Sequence, residues 1–471
     1  MHWSGGRLAI ALLVFGLIIT QPAWAQEAAP DPSPPTSLAT YIVPAADIVA
    51  FDFLLNRYGW HFVDRITYDS NAASVRRNLK GPWVLDNDPF ATNQFLHPYQ
   101  GAMYFGFARS AGLGFWPSFG YAFGGSLLWE IAGETTPPSK NDQIASGIGG
   151  AFLGEPLFRI ANLILEQSNG APGFWSELSA AIVSPATGFN RVVYGSRFKN
   201  VFPGNDPAFS ARAQFGVMGT ASTLKADTQS LVRNEGVVDL AVEYGLPGNS
   251  EYVHRRPFDY FNFQFTGSSA NGIEGIFSRG LLAGKDYGEQ PDAYRGVWGL
   301  FGSYDYVAPQ LFRVSSTAMS LGNTSQRRLF RSSALQSTLL AGVGYGAGGT
   351  IDGAGERDYH YGLTPQILAA MRLVVSNRAA LELTLRDYFI SSVASTEHRG
   401  SENISRVEGL LMVRFLDAHA ASIRYLWSRR AASYPDLGNR VQSHGSVGLF
   451  YTYLGGGTRF GVVKTRSATQ N

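Results

Sequence analysis

The chain has 471 residues, of which 16% are charged and 13% aromatic, with 54 glycines, no cysteine and a formal charge of +2. A soluble domain carries charge on about a quarter of its residues, so the deficit points to a surface that faces something other than water. The near-neutral balance excludes a nucleic-acid partner, and the lack of cysteine excludes disulfides, thiolate metal sites and a lipid-modified N-terminal Cys.

Met1 to Ala25 holds one basic residue, Arg7, then the apolar run Leu8 to Thr20, then Ala23-Trp24-Ala25 before Gln26. That is the pattern of a secretory signal peptide, so export with cleavage after Ala25 is expected. Removing Arg7 with the leader takes the formal charge from +2 to +1. An uncleaved anchor is the alternative, but the apolar core is short for a span of ~20 residues. Residues 26–40, with Pro30, Pro32, Pro34 and Pro35, read as a Pro-rich linker. From Tyr41 to Phe62 apolar residues return with Asp47, Asp52 and Arg57 among them, which suggests a short helix, and Asn71 to Leu79 is polar.

A helical module is expected over 41–200, with its core at 93–168. Phe95 to Ser168 reads as three helices, broken by Gly112-Leu113-Gly114 with Pro117 and by Pro137-Pro138. Ser139-Lys140-Asn141-Asp142 before an apolar run has the form of a capping box. Gly120 with Gly124, and Gly150 with Gly154, leave small surfaces four residues apart where helices can approach closely.

Ser126, Glu130 and Glu134 recur every four residues on one helical face. Two carboxylates so placed repel and raise at least one pKa unless a cation neutralises them, and pairing with Arg109 and Arg159 is the structural expectation. The polar cluster of the module, for binding or helix docking, comprises His97, Tyr99, Arg109, Glu130, Glu134, Asn141, Asp142, Glu155 and Arg159. A reactive alternative has His97 or a carboxylate as general base, Ser126 or Ser110 as nucleophile, and Glu130 orienting the base. No spacing forms a nucleophile signature such as G-x-S-x-G, and His97 before Pro98 fits a hydrogen-bonded helix-start residue equally well. His97, Ser126 and Glu130 are therefore candidates and no more. No His-Glu-x-x-His or EF-hand pattern occurs and the later histidines, His254, His360, His398, His419 and His444, are scattered, so neither metal nor cofactor is expected.

From about Val201 the pattern changes to short runs with a period of two. In Arg378 to Phe389 the even positions Arg378, Glu382, Thr384, Arg386 and Tyr388 are mostly polar, and Leu381, Leu383, Leu385 and Phe389 fill the odd ones. Such a strand has one wet face and one apolar face. Val237 to Tyr244 repeats the pattern, and ten more runs follow suit: 210–220, 258–266, 273–282, 294–307, 311–321, 335–345, 362–375, 404–416, 422–427 and 446–453. Phe460 to Val463 is a possible extra. Aromatic pairs near strand ends, Tyr304 with Tyr306, Tyr425 with Trp427 and Tyr451 with Tyr453, suit interfacial girdles. No segment after the leader reads as a secure spanning helix, and only helices and closed barrels satisfy their backbone in lipid. The fold expected is mainly β: a transmembrane antiparallel β-barrel of about twelve strands over 201–471, with an N-terminal α-helical module that plugs it or docks on it. Arg327-Arg328 and Arg429-Arg430 read as solvated rim charges that could touch lipopolysaccharide phosphates.

The run from Asn93 to Glu155, with His97-Pro98-Tyr99, Trp129-Glu130, Glu134, Asn141-Asp142 and Gly149-Gly150 before Gly154-Glu155, resembles a bacterial envelope family of uncharacterised function. In that family a similar helical segment precedes a probable outer-membrane barrel. Glu130 to Gly154 is more loosely similar to small VanZ-like membrane segments, and neither resemblance implies a role for any single residue. Three functions remain: an outer-membrane barrel acting as a gated passage or binding scaffold, a lipid-modifying enzyme with its site at the module, and an assembly protein that docks a periplasmic partner. Outer-membrane lipid and lipopolysaccharide are the expected surroundings.

Overall fold

The computed structural model describes residues 37–166, 172–195, 207–224, 230–290, 294–308, 313–330, 332–349, 355–393, 400–435 and 438–462. The expected leader, its cleavage point after Ala25 and the linker as far as residue 36 lie outside the described residues. The chain divides into two units, one drawn from residues 29–203 with 355–357 and the other from 204–354 with 358–471.

The helical unit begins with α1 (Leu38–Phe62), which takes in the last residues of the expected linker and is longer than the short helix anticipated. The polar stretch that follows forms α2 (Ala72–Lys80), started by a capping box between Asn71 and Ser74. The expected three helices are α3 (His97–Ser110), α4 (Phe115–Leu128) and a continuous helix made of α5 (Lys140–Ile144), a π-turn at Ala145–Gly149 and α6 (Gly150–Glu166). Two more π-turns precede α3 and follow α4, at Thr92–Leu96 and Trp129–Gly133. The unit closes with α7 (Phe174–Val183) and α8 (Pro185–Val193).

α3 and α6 are its centre, and glycine sets how closely they approach. A Cβ on Gly150 would lie 2.6 Å from the Gly101 Cα, one on Gly101 would lie 1.8 Å from the Ser146 carbonyl oxygen, and one on Gly154 would lie 3.0 Å from the Phe105 ring. Gly120 and Gly124 do the opposite of what their spacing suggested: a Cβ there would meet nothing within 4 Å, because that face of α4 points outward. The capping motif is half formed, since Ser139 Oγ accepts from the Asp142 N–H while the Ser139 N–H donates to Glu130 instead of to Asp142. Among the described residues two helices are long and apolar enough to cross a membrane, α1 and the continuous helix from Lys140 to Glu166, where none was expected. The second is buried almost throughout, whereas α1 is mostly exposed.

The other unit is a closed barrel whose twelve strands each pair with their sequence neighbours, β1 with β12 completing the ring. The strands are β1 (Phe209–Leu224), β2 (Ser230–Tyr244), β3 (Phe261–Ser268), β4 (Gly275–Gln290), β5 (Tyr294–Val307), β6 (Arg313–Phe330), β7 (Ser333–Gly349), β8 (His360–Val375), β9 (Ala379–Ile390), β10 (Ser401–Leu416), β11 (His419–Tyr434) and β12 (Gly438–Gly456). Every one of the twelve expected runs falls on one of them. Side-chain parity decides the faces: in β9, Leu381, Leu383, Leu385 and Phe389 are exposed while Arg386 and Tyr388 are buried. Val217, Leu321, Leu339, Val343, Ile367, Val413, Ile423 and Leu449 extend the outward apolar belt over β1, β6, β7, β8, β10, β11 and β12. An apolar outside on a ring without edges is the form a strand-built protein takes in hydrocarbon.

The lumen is packed. Apolar clusters sit inside it, one of Phe277, Val307, Val314, Tyr388, Ile390 and Ile404, and another of Tyr260, Leu281, Val297, Phe301, Leu340 and Leu368. Phe460 makes no thirteenth strand: residues 457–461 are bends and turns, and its ring is buried with Leu410, Met412 and Leu454, while Val463 lies outside the described residues. Of the aromatic residues expected in girdles, Tyr425 and Tyr451 face outward, whereas Tyr304 and Tyr306 are buried. Arg430 is likewise no rim charge, since its side chain is buried against Glu402, whereas Arg327, Arg328 and Arg429 are exposed.

These contacts predict opposite outcomes for two glycine substitutions in the helical unit. Gly150→Val forces the α3 and α6 backbones apart and costs about 1–3 kcal/mol or more, whereas Gly124→Ala, with open space around it and a better helix former in place, is neutral or stabilises by up to about 1 kcal/mol. Denaturant unfolding of the full chain followed by its helical circular dichroism measures both.

Candidate functional site

The polar residues singled out in the helical unit fall into two separate groups. The first lies where the segment before α3 meets the start of α5. Val84 bridges Ser139 in parallel, donating its N–H to Pro138 O at 2.9 Å and accepting from Lys140 N at 2.8 Å. This brings Asp86 against Asn141, whose amide donates to Asp86 Oδ1 at 3.0 Å and accepts from the Asp86 N–H at 3.0 Å. Asn93 donates to the same Asp86 oxygen at 2.6 Å, and Asn141 also donates to Asp142 Oδ1 at 3.0 Å.

His97, at the start of α3, places Nε2 3.8 Å from Asp142 Oδ2, and its buried Nδ1 has no hydrogen-bond partner among the described residues. Glu130, in the turn after α4, accepts the Ser139 N–H on Oε2 at 2.7 Å. This ties the end of one helix to the first residue of the next. Burial pushes the Glu130 carboxyl well above its ordinary value of 4.5, with the Asp142 carboxylate adding to the rise, while His97 and the Ser139 N–H pull it back. Glu134 is held by Thr136 Oγ1 at 3.0 Å.

The second group is Arg109, Glu155 and Arg159. Glu155 is wholly buried and its two oxygens take Arg109 Nε at 2.6 Å and Arg159 Nε at 2.7 Å, with Arg109 Nη2 adding a second bond at 3.1 Å. The Arg109 guanidinium also lies 4.5 Å from the centre of the Phe158 ring. The arginines therefore pair with Glu155 and not with Glu130 and Glu134, as spacing along the chain had suggested. α3 and α6 pack directly against each other, which brings Arg109 to Glu155, whereas Glu130 sits at the other end of the cluster beside Asp142.

The nucleophile candidates do not meet a base. Ser126 Oγ is buried without a hydrogen-bond partner among the described residues. Ser110 Oγ donates to the Gly106 carbonyl at 2.7 Å and accepts from Asn190 Nδ2 at 2.8 Å, which is helix packing. Tyr99 stacks on Phe95 with ring centres 6.1 Å apart and is only part-buried. Among the described residues no group of three or more His, Asp or Glu is arranged to hold a metal.

A third polar constellation, missed by residue choice although its parity was read correctly, fills the barrel. Arg372 on β8 donates Nη1 to Glu243 on β2 at 2.7 Å and Nε to Glu382 on β9 at 2.5 Å. Arg212 on β1 reaches the other Glu382 oxygen at 2.7 Å, and Arg424 on β11 pairs with Asp239 on β2 at 3.0 Å. Tyr388 on β9 donates to Asp305 on β5 at 2.8 Å. In a ring of twelve, β2 and β8 are six strands apart in either direction. The Arg372–Glu243 pair thus runs straight across the lumen. A cavity of about 100 Å³ remains beside it, lined by Arg212, Glu243, Arg372 and Glu382 among others, room for a few water molecules.

Residues 82–186 match the family model described as a domain of unknown function (DUF3943), a match that takes in the whole Asn93 to Glu155 run. No curated protein matches the sequence. Among solved structures the chain is similar to NanC porin, at 9% identity over 50% of this chain and 98% of that one with a TM-score of 0.26. KdgM porin is similar at 5% identity over 50% and 98%, TM-score 0.23, as is an anion-selective porin from Comamonas acidovorans at 8% over 53% and 100%, TM-score 0.23.

Two substitutions test the groups. Glu155→Ala leaves two buried guanidinium groups without their carboxylate and costs about 3–5 kcal/mol in denaturant unfolding. At Glu130 the raised folded value means that the fold prefers the protonated acid. Its cost to stability is absent below 4.5, grows as pH rises through the interval up to the folded value, and is complete above it. Glu130→Gln, which keeps an acceptor for Ser139, is expected to raise the unfolding midpoint at about pH 8 and to leave it unchanged at about pH 4.

Proposed function

We propose that this protein is an outer-membrane barrel that serves as a scaffold with a shut lumen, holding a helical module in the cell envelope, and not an open diffusion pore. The observation that carries the reading is the Arg372–Glu243 pair across the ring, joined through Glu382 to Arg212. A part-buried charged pair holds best where its geometry is good and neighbouring groups add further bonds. Here one arginine and two carboxylates from strands on opposite sides are met together, so opening the lumen would break several such bonds at once. A barrel closed by its own side chains needs no helical plug to keep it shut.

The rest of the envelope reading supports this scaffold. The leader at Met1–Ala25 would direct export, the outward apolar belt suits bilayer lipid, and exposed Arg327 and Arg328 at the end of β6 suit lipopolysaccharide phosphates. A periplasmic protein partner of the helical module fits the same role. The lipid-modifying alternative needs a nucleophile beside a base, and Ser126 and His97 make no hydrogen bond to each other among the described residues.

Conductance in planar bilayers tests the reading. Wild-type protein is expected to pass little or no current, and the double variant Glu243→Ala with Glu382→Ala, which removes the cross-lumen carboxylates, to pass more. Steady porin-sized current through the wild type would overturn it, and such current lost on adding a partner would favour the gated passage.

A further inference from the structure

Four helices of the helical unit are built inside out. α1 buries Thr40, Pro44, Asp47, Ile48, Asp52, Asn56 and Gly59, a stripe with helical spacing that is mostly polar. Its other side exposes Tyr41, Ile42, Val49, Phe53, Leu54 and Tyr58, and Leu38 and Phe62 at its ends are about three-quarters exposed, at 75% and 76%. One oxygen of each inward aspartate is met within the unit, Asp47 Oδ1 accepting from Tyr194 at 2.6 Å and Asp52 Oδ1 from Tyr104, while the second oxygen of each has no hydrogen-bond partner among the described residues, and Asn56 donates to the Gly133 carbonyl at 2.8 Å.

α4 repeats the inversion in part, burying Ser118 and Ser126 along with Phe115, Ala122 and Gly125 and exposing Trp116, Phe123 and Leu127. α7 buries Ser179 and exposes Phe174, Trp175, Leu178 and Ile182. α8 buries Thr187, Asn190 and Arg191, the last forked onto Glu177 with two bonds of 2.7 Å, and exposes Phe189, Val192 and Val193. A helix in water turns its apolar stripe to the core, and these four turn it away.

We propose that the outer faces of α1, α4, α7 and α8 lie against phospholipid acyl chains. The inference rests on the membrane-barrel reading and adds a second lipid-facing surface to the chain. Lipid is the occupant because the inversion is spread over four helices and not gathered into one groove, and because the outward residues share the chemistry of the barrel's own belt. The end of α1 adds the signature of a membrane interface, with the Arg65 guanidinium 4.4 Å and the Arg57 guanidinium 5.6 Å from the Trp60 ring centre.

The chain has no cysteine, so single nitroxide labels can be placed cleanly. Full-length Phe53→Cys, Val49→Cys and Val192→Cys on the helical unit, with Leu383→Cys on the barrel wall as reference, would be labelled in phospholipid vesicles. Collision rates with oxygen and with a water-soluble nickel chelate would then be measured. The expected result is oxygen collision several-fold above nickel collision at all four positions. Nickel access at the helical positions with a lipid signature at Leu383 overturns the proposal and leaves the barrel standing. Access to neither reagent at the helical positions means that protein covers them and also overturns it, and nickel access at Leu383 overturns the barrel reading itself.

Discussion

Much of the buried charge in this protein is paired between elements distant in sequence, and both units depend on those pairs. In the barrel, Arg372 is held by Glu243 and Glu382, and Arg424 by Asp239. In the helical unit, Glu155 is held by Arg109 and Arg159. A lone ion in either place would be costly enough to unfold its surroundings, so each charge fixes where its partners' elements must lie. The number and tilt of the strands set the width of the ring, and the Arg372–Glu243 pair spans it. The Glu155 fork, together with the contact of Gly101 and Gly150, sets the distance between α3 and α6. With the charges inside, the outside is free to be apolar.

The same constraint explains what could be read from the chain. Strand parity is local, since successive side chains point to opposite faces, so Leu381, Leu383 and Leu385 against Glu382, Thr384 and Arg386 declare both the strand and its lipid face. All twelve strands were legible for that reason, although their ends were not: β6 runs on to Phe330 because polar residues such as Arg327 and Arg328 continue the ladder past the apolar belt. Pairings across the lumen were not legible, because Arg372 and Glu243 are 129 residues apart and parity says only that both point inward. In the module, the four-residue spacing of Glu130 and Glu134 drew attention to a neighbourhood that does hold His97 and Asp142, but it named the wrong cations. Asp86 and Asn93 entered that cluster through the parallel contact of Val84 with Ser139, for which no local pattern exists.

The inverted helices were overlooked for a related reason. Periodicity says that a stripe is apolar and does not say which way it faces, and by convention it is taken to face the core. α1 carries its own correction in Asp47, Asp52 and Asn56. These recur at helical spacing among apolar residues and need partners, so they must be the buried side if the fold can meet them. Tyr104, Tyr194 and the Gly133 carbonyl do so.

That arrangement also bears on how readily such a helix would enter a membrane. Before folding, the segment that becomes α1 presents Asp47, Asp52 and Arg57 within 25 residues, each of which opposes insertion as a spanning helix by roughly 2.5–3.5 kcal/mol near its centre. After folding, the two aspartates are hidden against tyrosines and only the apolar side remains outside. The residues that oppose insertion of the unfolded helix are thus the ones whose burial leaves the folded helix apolar outside. That change rests on the pairing of Asp52 with Tyr104 and Asp47 with Tyr194, because without those partners the two aspartates would have no polar side chain to meet them on the inner face of α1.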